Sequence, residues 1–207
     1  MAHYYSEKQD SDFRQKIISE RIRGVDFSFC TASGVFSKNR IDRGTKALAE
    51  NCLVNDGWKV LDLGCGYGVI GIVIKKLFPK CEVVLSDVNE RALKLSEINA
   101  RLNNVEVKII KSFLFDNIQE LFDTVIVNPP QAAGLDICYK MIEQSYQHLK
   151  TNGLFQLVAR HNKGGSRLEK RMLEVFENIS SKRISTYRIY TSKKENNIKN
   201  LTRKLGL

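Results

Sequence analysis

The chain has 207 residues, 43% of them hydrophobic and 27% charged, and its 33 Lys and Arg against 23 Asp and Glu leave a net charge of +10. That length suits one domain with an elaboration and a substantial core. No apolar run approaches the roughly 20 residues of a membrane span, and Met1-Ala2-His3-Tyr4-Tyr5-Ser6-Glu7 lacks the basic-then-apolar order of a secretory leader. A cytoplasmic protein with no membrane partner is expected. Cys30, Cys52, Cys65, Cys81 and Cys138 form no C-x-x-C pair and His3, His148 and His161 are dispersed, which argues against a disulfide framework and against a metal centre. The charge is uneven: Leu157 to Leu207 holds 13 Lys or Arg against 4 Asp or Glu, whereas residues 1 to 57 carry 9 basic and 8 acidic side chains. A basic excess confined to one end suits a face for a polyanion such as a nucleic acid, with a solvated tail as the alternative.

Residues 15 to 31 read as a hairpin, because Val25, Phe27, Phe29 and Thr31 alternate with Asp26, Ser28 and Cys30 after a turn at Gly24. A Gly-containing loop, Ser33-Gly34-Val35-Phe36-Ser37, and Asp42-Arg43-Gly44-Thr45 follow, with Thr45 as N-cap of a helix through Leu48, Ala49 and Leu53. Strands are expected at Lys59 to Leu63, Glu82 to Ser86, Val105 to Ile110, Thr124 to Val127 and Leu154 to Ala159. Helices are expected at Val69 to Leu77, Glu90 to Leu102 (capped by Asn89, with Leu95, Ile98 and Leu102 at helical spacing), Asp136 to Leu149 and Ser166 to Phe176. Arg183 to Ser192 reads as one or two short strands, and Glu195 to Leu207 as a basic tail. Strands alternating with helices imply an α/β fold with a mostly parallel sheet covered on both faces.

Chemistry concentrates at three strand ends. Gly64, Gly66 and Gly68 stand where the first parallel strand turns into its helix, a place where missing β-carbons admit a ligand and a helix N-terminus offers N–H donors. Gly66-Tyr67-Gly68-Val69-Ile70-Gly71 also fits the dinucleotide pattern G-x-G-x-x-G. Asp62 just before the loop favours a cofactor with an ammonium group and would repel a pyrophosphate. Asp87, 19 residues beyond Gly68, can accept hydrogen bonds from two ribose hydroxyls, each worth roughly 1.5–3 kcal/mol with a charged acceptor. Asn128-Pro129-Pro130 ends the apolar strand Thr124-Val125-Ile126-Val127, where open α/β sheets place ligands. The prolines hold the peptide rigid, so the Asn128 side-chain oxygen and the Pro129 carbonyl can grip the two hydrogens of an amino group. Its lone pair would then point at an electrophilic methyl.

On these residues, residues 3 to 192 resemble the "small" methyltransferase domain of ribosomal-RNA guanine-N2 methyltransferases and of stand-alone archaeal relatives. The matching segments are His3-Tyr4-Tyr5-Ser6, Thr31, Gly34-Val35-Phe36-Ser37, Asp42-Arg43-Gly44-Thr45, Val60 to Gly71, Asp87 and Asn128-Pro129-Pro130. The resemblance implies a Rossmann-like, seven-stranded class I sheet with an antiparallel last strand and an N-terminal hairpin extension that folds over the cofactor. It divides the chain into an extension (1–45), a catalytic domain (46–192) and a basic tail (193–207). The implied cofactor is S-adenosyl-L-methionine, with no metal, and the implied partner is RNA, ribosomal before transfer RNA, met by the basic C-terminal region. Phe36, Thr45, Asp62, Gly64, Cys65, Gly66, Gly68, Asp87, Val88, Ser112, Phe113 and Asn128 would border the cofactor, and Asn128, Pro129 and Pro130 would form the catalytic segment. Two positions depart from the pattern: Gln131 stands where many relatives have a base-stacking aromatic residue, and Ser112-Phe113-Leu114-Phe115 lacks the usual Asp beside the adenine amine. A protein glutamine-amide methyltransferase and a non-catalytic RNA-binding module with this fold are the competing readings.

Overall fold

In chain order the elements are β1 (Gln15–Ile22), β2 (Val25–Ala32), α1 (Arg43–Asn51), β3 (Lys59–Leu63), α2 (Val69–Leu77), β4 (Glu82–Asp87), α3 (Glu90–Leu102), β5 (Lys108–Lys111), β6 (Phe122–Val127), α4 (Leu135–Gln147), β7 (Leu149–Ala159), α5 (Ser166–Phe176), β8 (Ser180–Ile184) and β9 (Tyr187–Lys193). The computed structural model describes residues 15–37 and 39–196. His3-Tyr4-Tyr5-Ser6 and the tail from 197 onward lie outside the described residues.

Seven strands form one sheet in the order β5-β4-β3-β6-β7-β9-β8, and β1 and β2 form a separate hairpin. The five strands β3 to β7 run parallel, and β9 inserts antiparallel to both its neighbours. Alternate residues of the central strands feed two apolar layers, as a pleat of period two requires. Val83, Leu85 and Ile126 face the layer shared with α1, α2, α3 and the hairpin. Leu61, Leu63, Val84, Val125 and Val127 face the layer under α4 and α5. Because β3, β4 and β6 are parallel neighbours, the glycine loop, Asp87 and Asn128 all emerge at one edge, with β3 at the point where the strand order reverses.

The hairpin turns at Arg23 and Gly24, both at positive φ (49° and 79°), the combination that suits a two-residue turn between twisted strands. Arg23 accepts that conformation while its guanidinium caps α1, with Nε donating to the Glu50 carbonyl (2.9 Å) and Nη2 to that of Cys52 (2.6 Å). The hairpin docks on α3 through two asparagines one helical turn apart. Asn99 exchanges hydrogen bonds with both backbone groups of Cys30, and Asn103 does the same with Ser28. Four helical residues rise about 6 Å and two strand residues about 6.8 Å, so side-chain amides at i and i+4 can pair like a neighbouring strand.

Several boundaries differ from the sequence reading. Asp42, not Thr45, caps α1, its carboxylate accepting the Thr45 N–H at 3.0 Å. The helix stops at Asn51, leaving Leu53 exposed outside it. Leu102 is also exposed, because the buried face of α3 runs through Ala92, Leu95, Ser96 and Asn99. β5 starts at Lys108 rather than Val105, since the Val105 N–H turns back to the Ala100 carbonyl. Leu149 opens β7 instead of closing α4.

Gly71 packs α2 against the sheet. A β-carbon there would lie 2.1 Å from Leu85 Cδ2 and 3.1 Å from Val83 Cγ1, both on fully or nearly fully buried side chains. Alanine would gain roughly 0.5–1 kcal/mol of helix propensity, but overpacking a closed core costs about 1–3 kcal/mol. The overlap wins. Gly71→Ala should lower the denaturant midpoint of unfolding; an unchanged or raised midpoint would show that the α2–β4 contact has slack.

Candidate active site

A deep cleft opens at the C-terminal ends of β3, β4 and β6, where open α/β sheets place their ligands. Phe36, Thr45, Asp62, Gly64, Cys65, Gly66, Asp87, Val88, Ser112, Phe113, Asn128, Pro129 and Pro130 all line it. Gly68 does not. It sits at φ 88° as the residue before α2, and a β-carbon there would meet Ile72, Ser96 and Leu85 at 3.0–3.2 Å, so its lack of a side chain serves packing.

The glycine loop holds itself by its own amides. Gly64 and Cys65 donate to the Ser86 carbonyl (2.8 and 2.9 Å), Gly66 to Asp87 Oδ2 (2.9 Å) and Gly68 to the Cys65 carbonyl (3.0 Å). Gly71, in the first turn of α2, donates to Asp62 Oδ2 at 2.9 Å. The glycine amides of the loop are therefore occupied, which leaves a pyrophosphate fewer donors there and weighs against a dinucleotide. What the loop offers a ligand is close backbone approach. Cys65 shares this wall, but burial pushes its thiol well up, with Asp87 and Asp62 adding to the effect, so it packs as a neutral group and is no nucleophile.

Asp87 is aimed by the same loop: Oδ2 takes the Gly66 N–H and Oδ1 the Asn89 N–H at 2.8 Å. Each oxygen keeps a further lone pair for a ligand hydroxyl. Burial raises Asp87 to about 6, against the pull of its backbone donors. Asp62 is fully enclosed, and burial, with the charge of Asp87 as a lesser cause, lifts it to about 7. Among the described residues, the charged side chains lining the cleft are Asp42, Asp62 and Asp87, with no Lys, Arg or His beside them. Such a lining favours a cation.

Asn128 is held from behind. Its Nδ2 donates to Thr45 Oγ1 at 2.8 Å and lies 3.3 Å from Asp42 Oδ2. With the amide nitrogen committed to α1, Oδ1 is the acceptor left for a ligand. Asp42 thus caps α1 and steadies Asn128, a double role the sequence reading missed because the two residues are 86 apart. Asn89, expected only as a helix cap, also lines the cleft and ties the loop after β2 across it, donating to the Gly34 carbonyl at 3.1 Å. Arg91 Nη1 adds a bond to the Ser33 carbonyl at 2.7 Å. Val35, Phe36 and Ser37 are thereby carried over the cleft.

The parallel strands β3 to β7 with β9 reversed, and an acidic cleft at their C-terminal ends, are those of a class I S-adenosylmethionine-dependent methyltransferase. The acidic lining fits that cofactor, whose sulfonium and ammonium are both cationic. More narrowly, the chain belongs to the methyltransferase small domain family, whose model matches residues 26–191. It is 38% identical over 184 residues to the uncharacterized protein YbxB of Bacillus subtilis (strain 168), covering 86% of this chain and 90% of that protein. It is 35% identical over 161 residues to ribosomal RNA small subunit methyltransferase C of Hamiltonella defensa subsp. Acyrthosiphon pisum (strain 5AT), covering 76% of this chain and 48% of that protein. The chain spans about half the length of the relatives with that name. Among solved structures, the T. thermophilus 16S rRNA N2 G1207 methyltransferase (RsmC), in complex with AdoMet and guanosine, superposes with a TM-score of 0.78 at 21% identity, covering 91% of this chain and 52% of that one.

The raised carboxyls make cofactor binding pH-dependent. Their native values lie above the ordinary carboxylate value of 3.8, so the ligand-free fold loses stability as pH rises from there towards 7 and the buried groups ionise. A cationic ligand favours the ionised forms, so affinity for S-adenosylmethionine should weaken as pH falls through about 7 and then about 6. Calorimetry in buffers of different ionisation enthalpy should register proton release near pH 6 that disappears by about pH 8. Affinity that stays flat across this window would contradict the cationic-site reading.

Proposed function

We propose that this enzyme methylates an exocyclic amine of RNA, with guanine N2 in small-subunit ribosomal RNA as the target. The observation that carries the reading is the tether on Asn128: its NH₂ is turned to Thr45 and Asp42, which leaves Oδ1 to accept one hydrogen of an amine. The Pro129 carbonyl offers a second acceptor for the other hydrogen. Gripped between them, the nitrogen presents its lone pair along one line and positive charge developing on it is stabilised. The cofactor supplies a methyl group on a sulfonium; the amine proton leaves to solvent after the N–C bond forms. Phe113, 47% exposed and lining the cleft with Phe36, offers an aromatic face for stacking a base; the side chain of Gln131 lies outside the described residues.

The names of the relatives and the guanosine in the RsmC complex support an RNA guanine over a protein amide. In this reading the N-terminal extension covers the cofactor, residues 46–192 form the catalytic domain and the basic C-terminal region meets the RNA, all in the cytoplasm. Incubation with radiolabelled S-adenosylmethionine and separated RNA and protein fractions should place the label in RNA, as N2-methylguanosine on nucleoside analysis. Label confined to protein would replace the RNA reading with glutamine-amide methylation, and no transfer to either fraction would favour a binding module.

A further inference from the structure

A second cavity opens beside the cleft, about 480 Å³ counted to its mouth and walled by Ser37, Arg40, Asp42, Arg43, Arg160 and Tyr187. Its three arginines come from three places in the fold: the loop after β2, the first residue of α1 and the residue following β7. All three are exposed, and none has an ion-pair partner among the described residues. Tyr187 lies between the start of α1 and Arg160. Its ring lies 5.2 Å from the Arg160 guanidinium, and it packs so closely on the start of α1 that a β-carbon on Gly44 would lie 2.8 Å from its Cε1. The carboxylate in the wall, Asp42, is engaged elsewhere, its Oδ2 facing the Thr45 N–H and the Asn128 amide. Three cations around one cavity repel one another unless an anion joins them.

The position of this pocket relative to the cleft says which anion. It shares Ser37 and Asp42 with the cleft, on the Asn128 side, and none of Asp87, Val88 or Ser112. An anion held there sits next to the acceptor amine and away from the cofactor's ribose. We propose that Arg40, Arg43 and Arg160 clamp one backbone phosphate of the RNA strand that carries the target base. The proposal rests on the RNA reading of the acceptor. Guanidinium forks bind phosphate oxygens two at a time, and a phosphate contact sets the register of the strand without reading its sequence. The clamp would therefore place whichever base is presented at Asn128.

Binding tests the pocket independently of catalysis. A short single-stranded RNA oligonucleotide titrated at several salt concentrations gives a log–log slope of about −0.7 per neutralised phosphate. With all three arginines on one phosphate, the triple variant Arg40→Gln, Arg43→Gln, Arg160→Gln should flatten that slope by about 0.7, the effect of one contact. Loss of about 2 would put the arginines on separate phosphates, and an unchanged slope and affinity would remove the pocket from RNA binding; either overturns the clamp. In turnover, the wild-type preference for the oligonucleotide over free guanosine, which has no phosphate, should narrow about tenfold or more in the triple variant. Arg160→Lys keeps the charge without the fork and should restore the salt slope more fully than the turnover preference. If the wild-type chain methylates neither RNA nor guanosine, the acceptor reading fails, and the salt slopes still decide the pocket.

Discussion

An Asn128→Ala variant should bind S-adenosylmethionine nearly as the native chain does and lose methyl transfer by about 100- to 1000-fold, the cost of removing one preorganised group from a developing charge. The reason is geometric. Displacement at a sulfonium needs the nitrogen lone pair on the S–C axis, and orientation of that kind can supply roughly 7–11 kcal/mol of barrier lowering. In the proposed reading Asn128 contributes through Oδ1, whose direction is set by the hydroxyl of Thr45 at 2.8 Å from Nδ2. Thr45→Ala should therefore lower kcat by less than Asn128→Ala, since Asp42 still faces the same NH₂ at 3.3 Å. Single-turnover rates with saturating cofactor separate these effects from binding. An Asn128→Ala enzyme with wild-type single-turnover rate would sink the assignment of the acceptor site.

Asp87→Ala should act on the other half of the reaction, weakening S-adenosylmethionine binding by about 100-fold or more. Two charge-assisted bonds to ribose hydroxyls, each worth roughly 1.5–3 kcal/mol, account for that loss. The change also strands the Gly66 and Asn89 amides, which donate to the two carboxylate oxygens at 2.9 and 2.8 Å, so the glycine loop loses an anchor. There is a second signature. The Asp87 charge helps hold Asp62 up near 7; without it, the Asp62 titration should move down and the pH below which remaining affinity falls should move with it. Titration calorimetry across pH reads both effects, and near-native affinity in the variant would take Asp87 out of the ribose site.

Much of this was written in local pattern. Period-two and period-3.6 apolar spacing located β3, α2 and α5 as they stand, because their side chains face a core whose geometry repeats along the element. The glycines after β3, Asp87 after β4 and Asn128-Pro129-Pro130 after β6 were legible for the same reason: in a parallel sheet, strand ends share one edge. Where local signals were degenerate, the reading slipped. Asp42 and Thr45 are both competent caps, and it is the contact of Thr45 Oγ1 with Asn128 that claims the threonine for the site. Gly68 fits the loop motif, yet the neighbours that decide its role are Ile72, Ser96 and Leu85.

By itself, then, the sequence determined the class of fold, the edge of the sheet where chemistry happens and the cofactor's chemical character, since each depends on residues close together in the chain. The tertiary structure alone decided which donors were already taken, how Asn128 is turned and that three arginines line one cavity beside the cleft. Those are facts about groups 86 residues apart for Asp42 and Asn128, or drawn from three separate elements for the arginines. Hydrogen-bond satisfaction and charge convergence are properties of distance in space, and local periodicity carries no record of them.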